Sequence, residues 1–168
     1  MMKTRQLVLT AVFISMVTVS TYIRIHIPLG TGGLIHLGTL VSFTIALKFG
    51  ARYGALSGGI GMTLFDLFSE WYVWAPATLI IRLISGYVVG RVALSRRGQG
   101  MNVLRNVFAI VLGGVVIISG YYVFEAFILG VGLVPALASI PGNLTQIAFA
   151  MFGLLIVPSL PRLEELHA

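Results

Sequence analysis

The sequence predicts an all-α integral membrane protein with six transmembrane helices, both termini inside, and a polar pocket toward the outer face. Three observations carry that prediction. Hydrophobic residues make up 58% of the 168, charged residues only 10%, and mean hydropathy is +1.01, outside the range of ordinary soluble domains. The apolar residues fall into stretches separated by short loops, several near the roughly 20 residues that a helix needs to cross a hydrocarbon core of about 30 Å. The cations gather at the segment ends of one side, as positive-inside topology requires.

The first segment, about 7–27, follows Lys3 and Arg5 and stops at the loop Pro28-Leu29-Gly30-Thr31-Gly32-Gly33. It is long and has no small-x-small cleavage site, so it is expected to be a retained helix rather than a signal peptide. The second and third segments, about 34–49 and 53–68, are joined by Gly50-Ala51-Arg52. Both are short, so one of them is expected to tilt or break. The fourth, about 77–94, follows Pro76 and leads into a basic linker from Arg91 to Arg105. The fifth spans about 106–129. The sixth, about 140–160, carries Pro141 in its first turn, a favoured place for proline. Residues 1–168 then form one transmembrane domain.

With the N-terminus inside, Lys3, Arg5, Lys48, Arg52, Arg91, Arg96, Arg97, Arg105 and Arg162 are cytoplasmic. The two remaining cations of the eleven are Arg24 and Arg82. This imbalance fixes the expected N-in, C-in orientation. It also excludes nucleic acid as the reason for the net charge of +6. The chain has no cysteine, which removes disulfides, thiolate metal sites and a thiol nucleophile.

The polar residues within the apolar segments then share one level. Arg24 and His26 lie at the outer end of the first helix, His36 opens the second and Asp66 closes the third. Glu70, Trp71 and Trp74 occupy the following outer loop. A rise of about 1.5 Å per residue places Arg82 roughly 10 to 12 Å below the outer end of the fourth helix. Glu125 lies at a similar depth on the fifth, and Asn143 and Gln146 are in the first turns of the sixth. Ionisable groups at such depths are costly unless they pair or line a cavity. An Arg82–Glu125 salt bridge holding two helices together is one reading, and lining a ligand pocket is the other. Arg24 could equally snorkel to headgroups. Trp71, Tyr72 and Trp74 could be an interfacial belt, or faces for a small planar ligand.

Gly50, Gly54 and Gly58, then Gly86 and Gly90, recur every four residues, which suits close helix packing rather than phosphate binding. Ala11 and Ser15 form a further small pair on the first helix. No phosphate-cradling, zinc-protease or nucleophile–base pattern occurs, so neither an enzyme nor a cofactor or metal site is expected.

Several runs carry a resemblance. Gly33-Leu-Ile-His-Leu-Gly-Thr-Leu40 and Lys48-Phe-Gly-Ala-Arg-Tyr-Gly-Ala-Leu-Ser-Gly-Gly-Ile-Gly61 are two of them. Phe65-Asp66-Leu-Phe-Ser-Glu-Trp-Tyr-Val-Trp-Ala-Pro-Ala-Thr-Leu-Ile-Ile-Arg82-Leu-Ile-Ser-Gly86 and Ile140-Pro-Gly-Asn-Leu-Thr-Gln146 are the others. Together they resemble the substrate-binding S components of energy-coupling factor (ECF) vitamin transporters of the riboflavin-transporter-like group, over about residues 7–160. The resemblance implies six helices and an outward vitamin site. It also implies a transmembrane coupling subunit docking on Ala11 and Ser15, two cytosolic ATPases supplying energy, and a bacterial cytoplasmic membrane location. Many relatives have Gly-Asp where this chain has Gly38-Thr39, so one carboxylate near the pocket is missing.

The expected ligand set is Arg24, His26, His36, Asp66, Glu70, Trp71, Trp74, Arg82, Glu125, Asn143 and Gln146. Its basic lean (Arg24, His26, His36, Arg82) favours pantothenate slightly. Hydroxymethylpyrimidine or pyridoxine would draw instead on Trp71, Trp74, Glu125, Asn143 and Gln146, and riboflavin ranks lower. The alternative is a six-helix scaffolding protein of envelope assembly without a small ligand. An intramembrane enzyme would need paired catalytic groups at reactive spacing.

Overall fold

The computed structural model describes residues 4–24, 36–95 and 102–161. Within them the chain is helical, and four stretches are long and apolar enough to cross a membrane: Thr4–Tyr22, Tyr72–Ala93, Val103–Ile128 and Leu133–Ser159. The expected loop at 28–33, together with His26, Lys3, Arg96, Arg97 and Arg162, lies outside the described residues.

Helix α1 (Thr4–Tyr22) turns Phe13 and Val17 inward. It leaves Leu7, Val8, Val12, Met16 and Val19 about half exposed or more, as a lipid-facing helix does. Helix α2 (Gly38–Phe49) is the opposite case: ten of its 12 residues are buried. At roughly 1.5 Å per residue it is about 18 Å long. It can be short because other helices, not lipid, surround it.

Between α2 and α3 (Ala51–Leu67) the expected three-residue turn is a corner of one residue, Gly50, with φ of 95°. That backbone region is nearly closed to residues with a Cβ. A Cβ there would also press on Leu94 Cδ1 at 2.9 Å.

Helix α4 (Ala75–Ala93) begins after one 3₁₀ turn, Tyr72–Trp74, with Pro76 in its first turn. The glycine spacing is used where α3 crosses α4. A Cβ on Gly86 would collide with the carbonyl of Gly54, and one on Gly90 with the backbone of Ala51. The two backbones therefore approach as closely as small-xxx-small faces allow.

Helix α5 (Val103–Val123) is capped by Asn102, whose side chain accepts a 3.0 Å hydrogen bond from the Arg105 amide. It then widens into a π turn, Phe124–Ile128.

The last span differs from the single helix expected over 140–160. It is built from a short helix α6 (Leu133–Ala136), a 3₁₀ turn, α7 (Ile140–Ala150), α8 (Gly153–Ile156) and a closing 3₁₀ turn. Gly132, with φ of 92°, starts it. Met151 and Phe152 bond back to carbonyls three residues earlier, Ala148 and Phe149. This tightens the turn and ends α7 short of the expected limit.

The main core lies between α2, α4, α5 and α7, around Phe43, Leu47, Val89, Ile110, Ile117 and Ile147. A second cluster, with Phe13 stacked on Phe49 at 4.8 Å, ties α1 to α2 and α3. Both leave the ends of α3, α4, α5 and α7 nearest Asp66, Ala75, Glu125 and Ile140 free to surround a polar cavity.

Candidate functional site

Arg82 is the centre of that cavity. It stands seven residues into α4, about 10 Å from its start, and is only 3% exposed. Its guanidinium reaches across to three other helices. Nη1 donates to Thr39 Oγ1 at 2.9 Å and Nη2 to Gln146 Oε1 at 3.2 Å. Nε approaches the Tyr121 hydroxyl at 3.4 Å, and Cζ lies 5.5 Å from the centre of the Tyr121 ring. Thr39 donates to Gln146 Oε1 at 2.6 Å, and Thr78 and Tyr121 share a hydrogen bond of 2.9 Å.

These partners are uncharged. A guanidinium carries five N–H donors, and three are engaged here. The remaining two, one on each terminal nitrogen, meet no acceptor among the described residues.

Of the two readings of Arg82 and Glu125, the salt bridge is not formed among the described residues. The two residues share a depth but not a direction. Glu125 sits on the π turn of the α5 segment and accepts from the Trp74 indole Nε1 at 3.4 Å. Trp74 in turn packs on Trp71 with ring centres 5.1 Å apart. Asp66, buried at the end of α3, faces the Thr78 hydroxyl and feels the charge of Arg82. It makes no ion pair with it, since among the described residues that contact occurs between Arg24 and Glu70.

His36, Asp66, Trp71, Trp74, Arg82, Glu125, Asn143 and Gln146 line one cavity together with Thr78, Tyr121 and Ser139. Its atom-free space, open mouth included, is about 470 Å³. Arg24 and Glu70 are brought together but outside this lining. They form an exposed ion pair of 2.6 Å, and the Arg24 guanidinium lies 5.2 Å from the centre of the Phe65 ring. Arg24 holds the Glu70 carboxyl below the usual carboxylate range, first by its hydrogen bond and then by its charge. Glu70 is fully exposed, so the stability involved is small.

His36 does not open α2 as expected. It precedes the helix, bridges to Arg24 as an isolated β-pair, and its Nδ1 accepts from the Gly38 amide at 3.1 Å. A nitrogen that accepts is unprotonated, so this contact holds the ring in its neutral form. Of the residues behind the expected basic lean, His36 and Arg82 line the cavity, where they meet the Asp66 and Glu125 carboxyl groups.

Thr78, Tyr121, Ser139 and the supporting Thr39 were not among the expected residues. Two of them carried a signal. Thr78 stands four residues before Arg82 and Tyr121 four before Glu125, which places each on the same helix face one turn away. Thr39 drew notice only for lacking a carboxylate, yet it is the nearest acceptor to Arg82.

Comparison with known proteins agrees with this architecture. The family model described as ECF-type riboflavin transporter, S component, matches residues 1–161. A protein of Pyrococcus woesei described as an uncharacterized protein in gap 3'region is 34% identical over 106 residues. That match covers 62% of this chain and 68% of the relative.

Proposed function

This chain belongs to the family of ECF-type riboflavin transporter S components, and on that premise we propose that it captures a small carboxylate vitamin, pantothenate, in the cavity around Arg82. The family is one of transporter subunits that bind substrate, not of enzymes.

The observation that carries the substrate is the buried Arg82 guanidinium, whose hydrogen-bond partners among the described residues are all uncharged. Thr39 Oγ1 and Gln146 Oε1, 2.6 Å apart, already take the parallel pair at the tip of the guanidinium, so a ligand carboxylate would accept a charge-assisted N–H bond from one outer edge. Pantothenate also brings hydroxyl and amide donors, which suit the Asp66 and Glu125 carboxyls on the other walls. A second reading has its own support. The adjoining Trp71 and Trp74 rings and the Glu125 carboxyl would suit the flat, donor-bearing ring of hydroxymethylpyrimidine or pyridoxine. The family description names riboflavin, whose larger ring system would need more of the Trp wall. Arg24 and Glu70, which lie outside the cavity lining, are assigned to the approach of the ligand rather than to its final seat.

The protein is placed in the cell membrane with six crossings, N-in and C-in. The four long apolar stretches supply four, and α2 and α3 the other two. Lys48, Arg52, Arg91 and Arg105 support this orientation, each lying at the helix end away from the cavity. Ala11 and Ser15 are exposed on α1, on the side opposite the inward Phe13 and Val17. That small-residue face is the proposed dock for the coupling subunit, which two cytosolic ATPases would drive.

Trp71 and Trp74 are the only two tryptophans, and both line the cavity. Indole fluorescence of the purified protein, titrated without ATP, therefore reports the site directly. A saturable change is expected with pantothenate ahead of hydroxymethylpyrimidine, pyridoxine and riboflavin. A flat response to all four, with no vitamin extracted from the purified protein, would refute the proposal.

A further inference from the structure

We propose that Thr39 sets the charge preference of the cavity. By holding Arg82 with a neutral oxygen, it leaves the guanidinium's charge to be met by the ligand. The inference rests on the reading of this cavity as a vitamin site and names the residue that makes its ligand an anion.

Thr39 is fully buried, 0% exposed, on the first turn of α2. It is not part of the cavity lining, so it acts on a ligand only through its neighbours. Its hydroxyl has one proton and two lone pairs. The proton goes to Gln146 Oε1 at 2.6 Å, which turns the lone pairs toward Arg82 Nη1 at 2.9 Å. Gln146 Oε1 also accepts from Arg82 Nη2. Thr39, Gln146 and Arg82 thus form a closed triangle in which each side is a hydrogen bond, and the guanidinium is fixed by oxygens that carry no charge.

The other ionisable groups facing Arg82 do not change this. Asp66 from α3 forms no ion pair with it, and Glu125 is engaged with Trp74. His36 has Nδ1 occupied by the Gly38 amide. A buried cation without a paired anion is costly, and the cost is recovered when an anion is supplied. An aspartate at position 39, close to threonine in size, would supply that anion permanently at Nη1. A glutamate in place of Gln146 would do so too, but Gln146 lines the cavity, so that change would mix charge with ligand contact.

The test compares pantothenate with its alcohol analogue, panthenol, which lacks the carboxylate. Affinities are measured by indole fluorescence and calorimetry on the full chain and on Thr39→Ser, Thr39→Val and Thr39→Asp, with a melting transition recorded for each. The wild type and Thr39→Ser should prefer the acid. Thr39→Val removes the nearest acceptor without supplying an anion, so the preference for the acid should be kept. In Thr39→Asp the preference should vanish or invert, with panthenol binding retained.

A folded Thr39→Asp protein that keeps the wild-type preference, or a folded Thr39→Val protein that loses it, overturns the inference while leaving the carboxylate site standing. Should Thr39→Asp show no melting transition, Thr39→Val against Thr39→Ser decides alone. A wild type that does not prefer the acid overturns the carboxylate reading of the site, and the role of Thr39 with it.

Discussion

Replacing Arg82 with methionine should separate ligand binding from folding. The methionine keeps most of the apolar stem and removes the charge. On the folding side, little is orphaned. Thr39 and Gln146 remain bonded to each other at 2.6 Å, and Tyr121 keeps Thr78 at 2.9 Å. The lost bonds are those of 2.9, 3.2 and 3.4 Å. Removing a buried cation also removes its desolvation cost, so swaps of this kind are often neutral or stabilising.

On the binding side, a carboxylate would lose one charge-assisted bond at about 1.5–3 kcal/mol. That corresponds to a fall in affinity of about 10- to 100-fold. Fluorescence titration gives the affinity, and thermal melting in detergent gives the stability. A folded Arg82→Met protein that binds pantothenate as tightly as wild type would refute the reasoning. The double variant with Glu125→Gln sharpens the result. Because Arg82 and Glu125 share no hydrogen bond or ion pair, their effects on stability should add within about 0.5 kcal/mol. A larger deviation would show that the two charges are coupled after all.

The other predictions concern packing, docking and the rim. Gly86→Leu places side-chain atoms against the Gly54 backbone and should lower stability by about 1–3 kcal/mol or more, read as a drop in melting temperature; an unchanged melt would refute the close α3–α4 contact. Ala11→Trp should leave vitamin binding in detergent intact and abolish uptake in cells, and impaired binding would contradict the assignment of that face. The Glu70 carboxyl should titrate below the usual carboxylate range by NMR and move back up in Arg24→Gln. Its lowered value means that any stability it contributes is present above the ordinary carboxylate range and is lost as pH falls through the lowered one. Being exposed, the pair should also weaken as salt rises.

Much of the plan is legible along the chain because the relevant physics is local. Apolar length, segment-end cations, Pro76 and the four-residue glycine spacing each act within a few residues or within one helix. In the last span Gly153 and Pro158 mark places where the helix can break, but composition does not say where the turn tightens. The tightening at Met151 and Phe152 comes from how the chain packs. The single-residue corner at Gly50 was blurred for a related reason, since a glycine marks a turn without stating how long it is.

What the sequence by itself determined is the solvent, the class and the depth. A chain this apolar must satisfy its backbone as helices, and a fixed rise per residue converts position into depth for Arg82, Glu125 and Gln146. Only the tertiary structure decided partners. Depth is one coordinate, whereas a hydrogen bond needs three, including the azimuth at which each helix presents its side chain to its neighbours. Arg82 and Glu125 lie at like depths, yet Arg82 turns to Thr39, Gln146 and Tyr121 while the π turn sends Glu125 to Trp74. The threonine that stood out in the sequence for lacking a carboxylate is, in the fold, the neutral support of the cavity's one guanidinium.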